Sequence, residues 1–505
     1  MPFPILFIFS VMILCFEIAL KNLTKYYIYD NPNYRKKHTS PISPIGGLIF
    51  GPLFLAILWF SGLAPNWYLI GGLITIILGF VDDNYSFPWQ GKLLVQFCLV
   101  IYLVSLFWGR FDTFTFYSLT FTLSQFQLLG IFLIWFIGIF NAINLIDGLD
   151  GLAASFVLII SLGLGISGPD SINTLSFIFA IILLSYLVYN QRPAKIFMGD
   201  VGSLLLGFHI AVLPLLANNW STTNNIAMTP IILLSSYLIA DTSRVFFTRI
   251  ISKKNPMNAD TIHFHHLVIQ NSGSYLASIT SILIITIITI IMTVFSYETV
   301  LPVNVMILHF SFILLFILTP PVQTYVPLLT KITSKFYNWQ KKDKIKKDPF
   351  IYRTLFMIFL FLGLLISIFL NYSISIYFNL FQFISLIIIS SFLFNNRGKI
   401  ISCYVIQLTL IIFFTDIFKS INIDLFIKIF TTSSILSYTI FLFERRLGCD
   451  IGNFSTLDVL VVLITFSGLI LSYFQISISI WYFLIIFSIW FSSSFILRRI
   501  FFNSN

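Results

Sequence analysis

Apolar runs of about 17–22 residues, separated by short polar stretches, recur along the whole chain, and a run of that length crosses a bilayer core as an α-helix. The pattern predicts spans over about 3–20, 45–61, 67–81, 91–108 and 126–143, then about 152–167, 174–189, 204–217 and 228–247. Two more are expected at about 276–296 and 303–326. A lysine-rich stretch, 331–353, follows, and roughly six further spans run to Arg498 and Arg499. Residues 3–20 read as a first span and not as a cleaved leader, because no basic segment precedes them and no small-residue cleavage site follows. The expected fold is all-α: a polytopic integral membrane protein with about 11 transmembrane helices in a first part and about 6 in a C-terminal extension. The expected domains are 1–330, a basic cytoplasmic linker at 331–353, and a transmembrane extension at 354–505.

Composition sharpens this picture. Of 505 residues, 58% are hydrophobic and 10% charged, far outside the range of soluble domains. The net charge of +10 does not point to nucleic acid, because the basic residues sit in short loops between spans, where they act as topology signals. The loop 21–43 carries Lys21, Lys25, Arg35, Lys36, Lys37 and His38, which marks it as cytoplasmic. Counting spans from there puts every strongly basic loop on the same face. The frequent phenylalanines are assigned to lipid and helix contacts. Cys15, Cys98, Cys403 and Cys449 are far apart and show neither a disulfide framework nor metal-ligand spacing.

Against this apolar background four polar motifs stand out, and all open onto the cytoplasmic face. The first is Asp82-Asp83, at the inner end of the third span. Adjacent helical residues point about 100° apart, so one carboxylate can face a metal or a lysine while the other faces a substrate. Two solvated acids in a C-terminal turn would have the same spelling.

The second motif, Asn141 to Leu152, places Asn144, Asp147 and Asp150 at i, i+3 and i+6, on one side of a continued helix. Gly148 and Gly151 beside them allow close approach of a helix or a phosphate. Carboxylates at membrane depth are costly and are kept mainly where they face a bundle interior or a wet cavity.

The third, Pro193 to Ser203, sets Asp200 among glycines just before an apolar run, where it can cap the next helix or ligate a hard cation, and Lys195 adds a positive charge. In the fourth, His263-Phe264-His265-His266, three imidazoles occur in four positions, preceded by Asp260. No cysteine or zinc-protease spacing accompanies them, so phosphate binding or orientation of a carboxylate competes with zinc. Arg249, at the mouth of the preceding span, suits bidentate phosphate binding. Several carboxylates suggest Mg²⁺, and the basic groups suggest anionic substrates.

These motifs resemble, in order and sidedness, those of the polyprenyl-phosphate N-acetylhexosamine-1-phosphate transferases (glycosyltransferase family 4), over residues 1 to about 325. Asn33 to Pro41 with Gly46-Gly47 resembles the family's first cytoplasmic loop. The resemblance implies a phosphoglycosyl transferase of the bacterial inner (cytoplasmic) membrane, multi-pass, with its active site facing the cytoplasm. It would move an N-acetylhexosamine 1-phosphate from a UDP-sugar to undecaprenyl phosphate and release UMP. That is the first membrane step of a surface glycan such as cell wall or lipopolysaccharide O-antigen.

The implied cofactor is Mg²⁺, with Mn²⁺ as a substitute, and the implied partners are the two substrates and the bilayer, with room for a homodimer and no role for nucleic acid. By the resemblance Asp200 ligates the metal together with Asp83, and Asp82 or Asp83 takes the proton of the lipid phosphate. Asn144, Asp147, Asp150, Asn190, Lys195 and Phe197 belong to the substrate site. Arg249 and His263 hold pyrophosphate and sugar, and His265 and His266 join the catalytic set.

Three positions depart from the family pattern. Ser43-Pro44-Ile45 stands where relatives often have Pro-Arg before the double glycine, Thr261 follows Asp260 where many have Arg, and no acid closely follows the third histidine. The spelling His-Phe-His-His lies nearer the N-acetylglucosamine branch than the muramoyl-pentapeptide branch. A transporter or flippase for lipid-linked glycans is the competing class. It is disfavoured because the polar groups gather at one face instead of crossing the midplane, and because no inverted repeat is visible.

Overall fold

The computed structural model describes residues 5–22, 41–85, 87–116, 119–167, 170–218, 225–253 and 262–272, with single positions from 275 to 289. The linker expected at 331–353, the extension at 354–505, the span near 303–326, Asp260 and most of the first loop lie outside these residues. The helices in order are α1 (Ile5–Asn22), α2 (Gly46–Ser61), α3 (Asn66–Tyr85), α4 (Trp89–Leu106), α5 (Gln125–Ile146), α6 (Leu152–Ser167) and α7 (Asp170–Asn190). They continue with α8 (Gly199–Asn218), α9 (Thr229–Leu234), α10 (Ser236–Ile251) and α11 (Phe264–Ser272). The chain divides into two compact units, Leu14–Thr330 and Met1–Ile13 with Lys331–Asn505, and the site residues belong to the first.

Each span expected between residues 3 and 217 coincides with a helix to within about five residues. Among the described residues five helices are long and apolar enough to cross a membrane: α3, α4, α5, α7 from Ile172, and α8 to Leu216. Gly46–Ser61 and Leu152–Gly165 are apolar but shorter. The protein is therefore a multi-pass membrane protein.

Helix ends follow local chemistry. Ser124 and Gln127 form a capping box at the start of α5, the Ser124 side chain accepting from the Gln127 amide while Gln127 reaches back to the Ser124 N–H. α2 stops at Gly62, whose φ of 65° belongs to the left-handed region.

α8 is the central element and packs against α2, α3 and α5, while α6 packs along α7. Helix association in lipid rests on packing more than on expelling water, so small residues at crossings matter. A Cβ at Gly47 of α2 would lie 2.2 Å from the Gly202 amide nitrogen of α8. One at Gly79 of α3 would lie 2.4 Å from the Val201 Cα. These two glycines let the flanking helices clamp the first turn of α8. Polar contacts inside the bundle set register. Asn141 Nδ2 donates to Gln96 Oε1 at 2.8 Å between α5 and α4, and Tyr68 Oη lies 2.9 Å from His209 Nδ1 between α3 and α8.

Two expectations are corrected. The chain is not purely helical, because Thr113–Phe116 (β1), Leu119–Thr122 (β2) and Asn225–Ala227 (β3) form a small sheet in the order β2-β1-β3. β1 pairs antiparallel with β2, Thr113 opposite Thr122, and parallel with β3, Thr113 opposite Asn225. The Thr-Phe alternation of 113–116 has the period of a strand. The span expected at 228–247 is also broken, at Ser235, into the short α9 and the 16-residue α10. The buried face of α10 carries Asp241 and Arg249. By connectivity the sheet lies at one end of the bundle, and the motif residues gather at the other.

Candidate functional site

The site is built where α3 and α5 end and α4 and α8 begin. With Gly79 and Gly47 holding α8 close, Asp83 at the end of α3 reaches its open N-terminus. Asp83 Oδ1 accepts the Asp200 N–H at 2.9 Å and Oδ2 accepts the Val201 N–H at 3.3 Å. This satisfies two of the otherwise unpaired amides and places an anion at the positive end of the helix. Gly199 makes the turn possible, with φ of 65° and a would-be Cβ 2.5 Å from Asp83 Oδ2.

Of the two roles open to Asp200 from sequence, the cap thus falls to Asp83. The Asp200 carboxylate turns instead to α5, where Asn144 Nδ2 donates to its Oδ1 at 2.8 Å. The same amide group contacts Ser203 Oγ at 2.8 Å. Asp82, buried one residue before Asp83, forms an ion pair with Lys92 at the start of α4, and Lys92 Nζ also lies 3.9 Å from Asp200 Oδ2. The adjacent carboxylates face different partners, as adjacent helical positions allow. Three carboxylates share one ammonium, so the cluster keeps a negative excess suited to a cation or to cationic substrate groups.

The second motif departs from a continued helix. α5 ends at Ile146, and residues 147–151 form turns that include Gly151 at φ of 76°. Asp150 therefore leaves the helical face of Asn144 and meets the next loop, its Oδ2 accepting the Ala194 N–H at 3.2 Å. Asn190, buried at the end of α7, ties the two loops together. Its Oδ1 accepts the Gly151 N–H at 2.8 Å and its Nδ2 donates to the Ile196 carbonyl at 2.9 Å. Tyr275 Oη donates to the Asp150 carbonyl, and the Arg192 guanidinium lies over the Tyr275 ring at 4.3 Å.

Asp147 lies in the turn that follows α5 and is part-exposed. Burial, then the negative charges of Asp150 and Asp83, push its carboxyl from the ordinary 3.8 to about 7.

The loop 193–198 is pinned to the start of α2. The Phe197 N–H donates to the Ser43 carbonyl at 3.0 Å, the Gly46 N–H donates to the Phe197 carbonyl at 2.8 Å, and the Phe197 ring remains part-exposed. Lys195 is half-buried. Burial pulls its pKa down, and the negative charge of Glu17 on α1 opposes this. Glu17 also accepts from Tyr189 Oη at 2.9 Å.

The histidine motif opens α11 within what the sequence presents as a polar loop. His263 Nδ1 lies 3.0 Å from Asp241 Oδ2, and the His263 and His265 rings are nearly parallel with centroids 5.8 Å apart. His265 and His266 are 4.1 Å apart. Both reach the second motif, since a Cβ at Gly148 would lie 2.9 Å from His265 Nε2 and 3.6 Å from His266 Nε2. Arg249 is buried in the last turn of α10.

The structure thus gathers Asp82, Asp83, Asn144 and Asp200 into one cluster. It links Asp150 and Asn190 through the loops, and Gly148 brings His265 and His266 to the same end. Lys92, Ser203, Glu17, Asp241 and Arg244 join the site without having stood out in the sequence. Glu17, Asp241 and Arg244 were findable as charges inside otherwise apolar runs. Among the described residues, no three His, Cys, Asp or Glu side chains are placed to hold one ion.

The model of glycosyl transferase family 4 matches residues 66–218, which include every site residue from Asp82 to Asp200. A probable undecaprenyl-phosphate N-acetylglucosaminyl 1-phosphate transferase of Bacillus subtilis is 36% identical over 269 residues, 51% of this chain and 74% of that protein. An undecaprenyl-phosphate alpha-N-acetylglucosaminyl 1-phosphate transferase of Thermotoga maritima is 28% identical over 253 residues, 49% and 74% of the two chains. A phospho-N-acetylmuramoyl-pentapeptide-transferase of Synechococcus is 36% identical over 208 residues, 37% and 58%.

Proposed function

The chain belongs to glycosyl transferase family 4, as a polyprenyl-phosphate sugar-phosphate transferase, and from that premise we propose that it loads undecaprenyl phosphate with an N-acetylhexosamine 1-phosphate. A phosphate oxygen of the lipid attacks the β-phosphorus of a UDP-sugar. The bond from that phosphorus to the bridging oxygen breaks, and UMP leaves. The observation that carries this reading is the convergence of Asp82, Asp83 and Asp200 with Lys92 and Asn144 at the N-terminus of α8. The Lys92 ammonium favours phosphate oxygens, and the carboxylates supply a base for the lipid phosphate proton.

Mg²⁺ fits this donor set. The carboxylates outnumber the ammonium, and Mg²⁺ takes one or two protein carboxylates and completes its shell with water and substrate phosphate. Asp200, with Asp83 beside it, would hold the ion. Once bound, it supplies neutralisation of charge on the phosphates. The chain's own residues do the rest. Asn144 fixes the Asp200 carboxylate, Lys92 balances Asp82, and Asn190 and Asp150 hold the loops that frame Asp147, Lys195 and Phe197 for the uridine nucleotide. His265 and His266, against Gly148, with Arg249 and His263, complete the pyrophosphate and sugar side.

The site faces the cytoplasm of a bacterial inner membrane in this reading. Supporting that, Lys21, Lys92, Arg192, Lys195, Arg249 and Lys253 lie toward the site end, whereas Arg110 lies toward the sheet end. The test is to incubate purified protein with undecaprenyl phosphate, Mg²⁺ and a panel of UDP-sugars and to measure UMP. Release with a UDP-N-acetylhexosamine supports the reading, and no release with any donor contradicts it.

A further inference from the structure

The histidine motif is held by a buried acceptor in mid-α10. Asp241 is 1% exposed and makes three contacts. Its Oδ1 accepts Arg244 Nη2 at 2.8 Å and the Phe264 N–H at 3.0 Å, and Oδ2 meets His263 Nδ1 at 3.0 Å. The contact with Arg244 is also an ion pair, and the same Nη2 donates to the Ile262 carbonyl at 2.6 Å. Together Asp241 and Arg244 grip residues 262, 263 and 264 in succession, just where α11 begins. The His263 carbonyl in turn accepts the His266 and Leu267 N–H groups at 3.0 and 3.1 Å, so the seat of His263 sets the position of the next histidines. His263 is 3% exposed, and its Nε2 makes no hydrogen bond among the described residues.

From this geometry we infer that Asp241 is a positioning residue for the transferase reaction, fixing the proton of His263 on Nδ1 and so presenting Nε2 to the phosphate-bearing substrate. The inference rests on the transferase reading above. A carboxylate offers no hydrogen, so the ring nitrogen facing Oδ2 must carry one. Nε2 is then an acceptor on the neutral ring, or a donor on the imidazolium. Which nitrogen carries the proton is set by the partner of the other, and here the partner is unambiguous.

The two donors on Oδ1 make the inference testable. In Asp241→Asn the amide oxygen must stay where Arg244 and the Phe264 N–H converge. The amide NH₂ then replaces Oδ2 and faces His263 Nδ1, which has to give up its proton. The substitution keeps shape and inverts the tautomer.

The experiment has two arms. Nitrogen NMR of the wild-type protein in lipid, with labelled histidine, should show His263 protonated on Nδ1, and the Asp241→Asn protein should show the proton on Nε2. In the UMP-release assay Asp241→Asn should lose roughly 10²-fold or more in kcat, with the KM for the UDP-sugar changed less than about threefold. It should add little to the defect of His263→Gln, because both remove the same function. A wild-type His263 carrying its proton on Nε2 alone overturns the inference, and that result needs no variant to fold. So does a folded Asp241→Asn protein with near-wild-type kcat, or defects that simply multiply. A wild-type protein that releases no UMP contradicts the transferase reading instead, and the tautomer measurement still decides the role of Asp241.

Discussion

Asp83 closes the N-terminus of the helix that Asp200 opens: its carboxylate takes the Asp200 N–H at 2.9 Å across 117 positions of sequence. The contact joins the first and third motifs and frees the Asp200 carboxylate for Asn144. Neighbouring Asp82 has a different partner, Lys92. Asp82→Asn and Asp83→Asn should therefore differ. Removing the Asp83 charge from a helix N-terminus should lower thermal stability by about 1 kcal/mol and raise the Mg²⁺ needed for half-maximal rate. Asp82→Asn should act mainly on kcat. Kinetics and thermal melts of both variants decide this, and matching defects would count against divided roles.

Lys92 is the ion-pair partner of Asp82 and the nearest ammonium to Asp200. Lys92→Met should destabilise the protein by roughly 3 kcal/mol, the low end for a buried pair because the lysine keeps some exposure. Turnover should fall even where folded protein is recovered. A variant as stable and active as wild type would show that the pair carries little.

Asp147 predicts a pH dependence. Its folded-state pKa, about 7, lies above the ordinary 3.8, so the folded protein holds this proton more tightly than the unfolded chain does. The associated stability is fully present below about pH 4 and is lost as pH rises through 7. Asp147→Asn removes the ionisation, so its melting temperature relative to wild type should climb between pH 4 and 7 and level off above. A difference that is flat across this window would show that Asp147 ionises normally.

The glycine crossings make a prediction with opposite signs. Gly47→Ala pushes a methyl against the Gly202 backbone and should cost about 1–3 kcal/mol with loss of activity. Gly130→Ala in α5 meets nothing within 4 Å and should be neutral or stabilising by up to about 1 kcal/mol. Equal effects would mean that α2 and α8 do not depend on close approach.

The apolar periodicity made the spans legible, because bilayer thickness dictates helix length and leaves little choice of pattern. It also located the motifs, since each charge in such a chain is conspicuous. It failed where local backbone chemistry outweighs the pattern. α5 ends at Ile146 and the turns that follow, with Gly151 in the left-handed region, move Asp150 off its face, and the short strand at 113–116 was hidden between two spans. Cross-chain partners were the other gap. Nothing local tells that Asp83 caps α8, or that Asp241 receives His263, because both contacts depend on how separate helices meet.

The central claim is that the cluster around Asp200 transfers a sugar 1-phosphate. Its most direct test is UMP release by the purified protein in lipid, with undecaprenyl phosphate, UDP-N-acetylhexosamines and Mg²⁺, beside the Asp200→Asn variant. The expected result is UMP in step with lipid-linked sugar, dependence on the divalent cation, and a rate reduced by several orders of magnitude in the folded variant. No UMP from any donor, or an Asp200→Asn protein working near the wild-type rate, would contradict it.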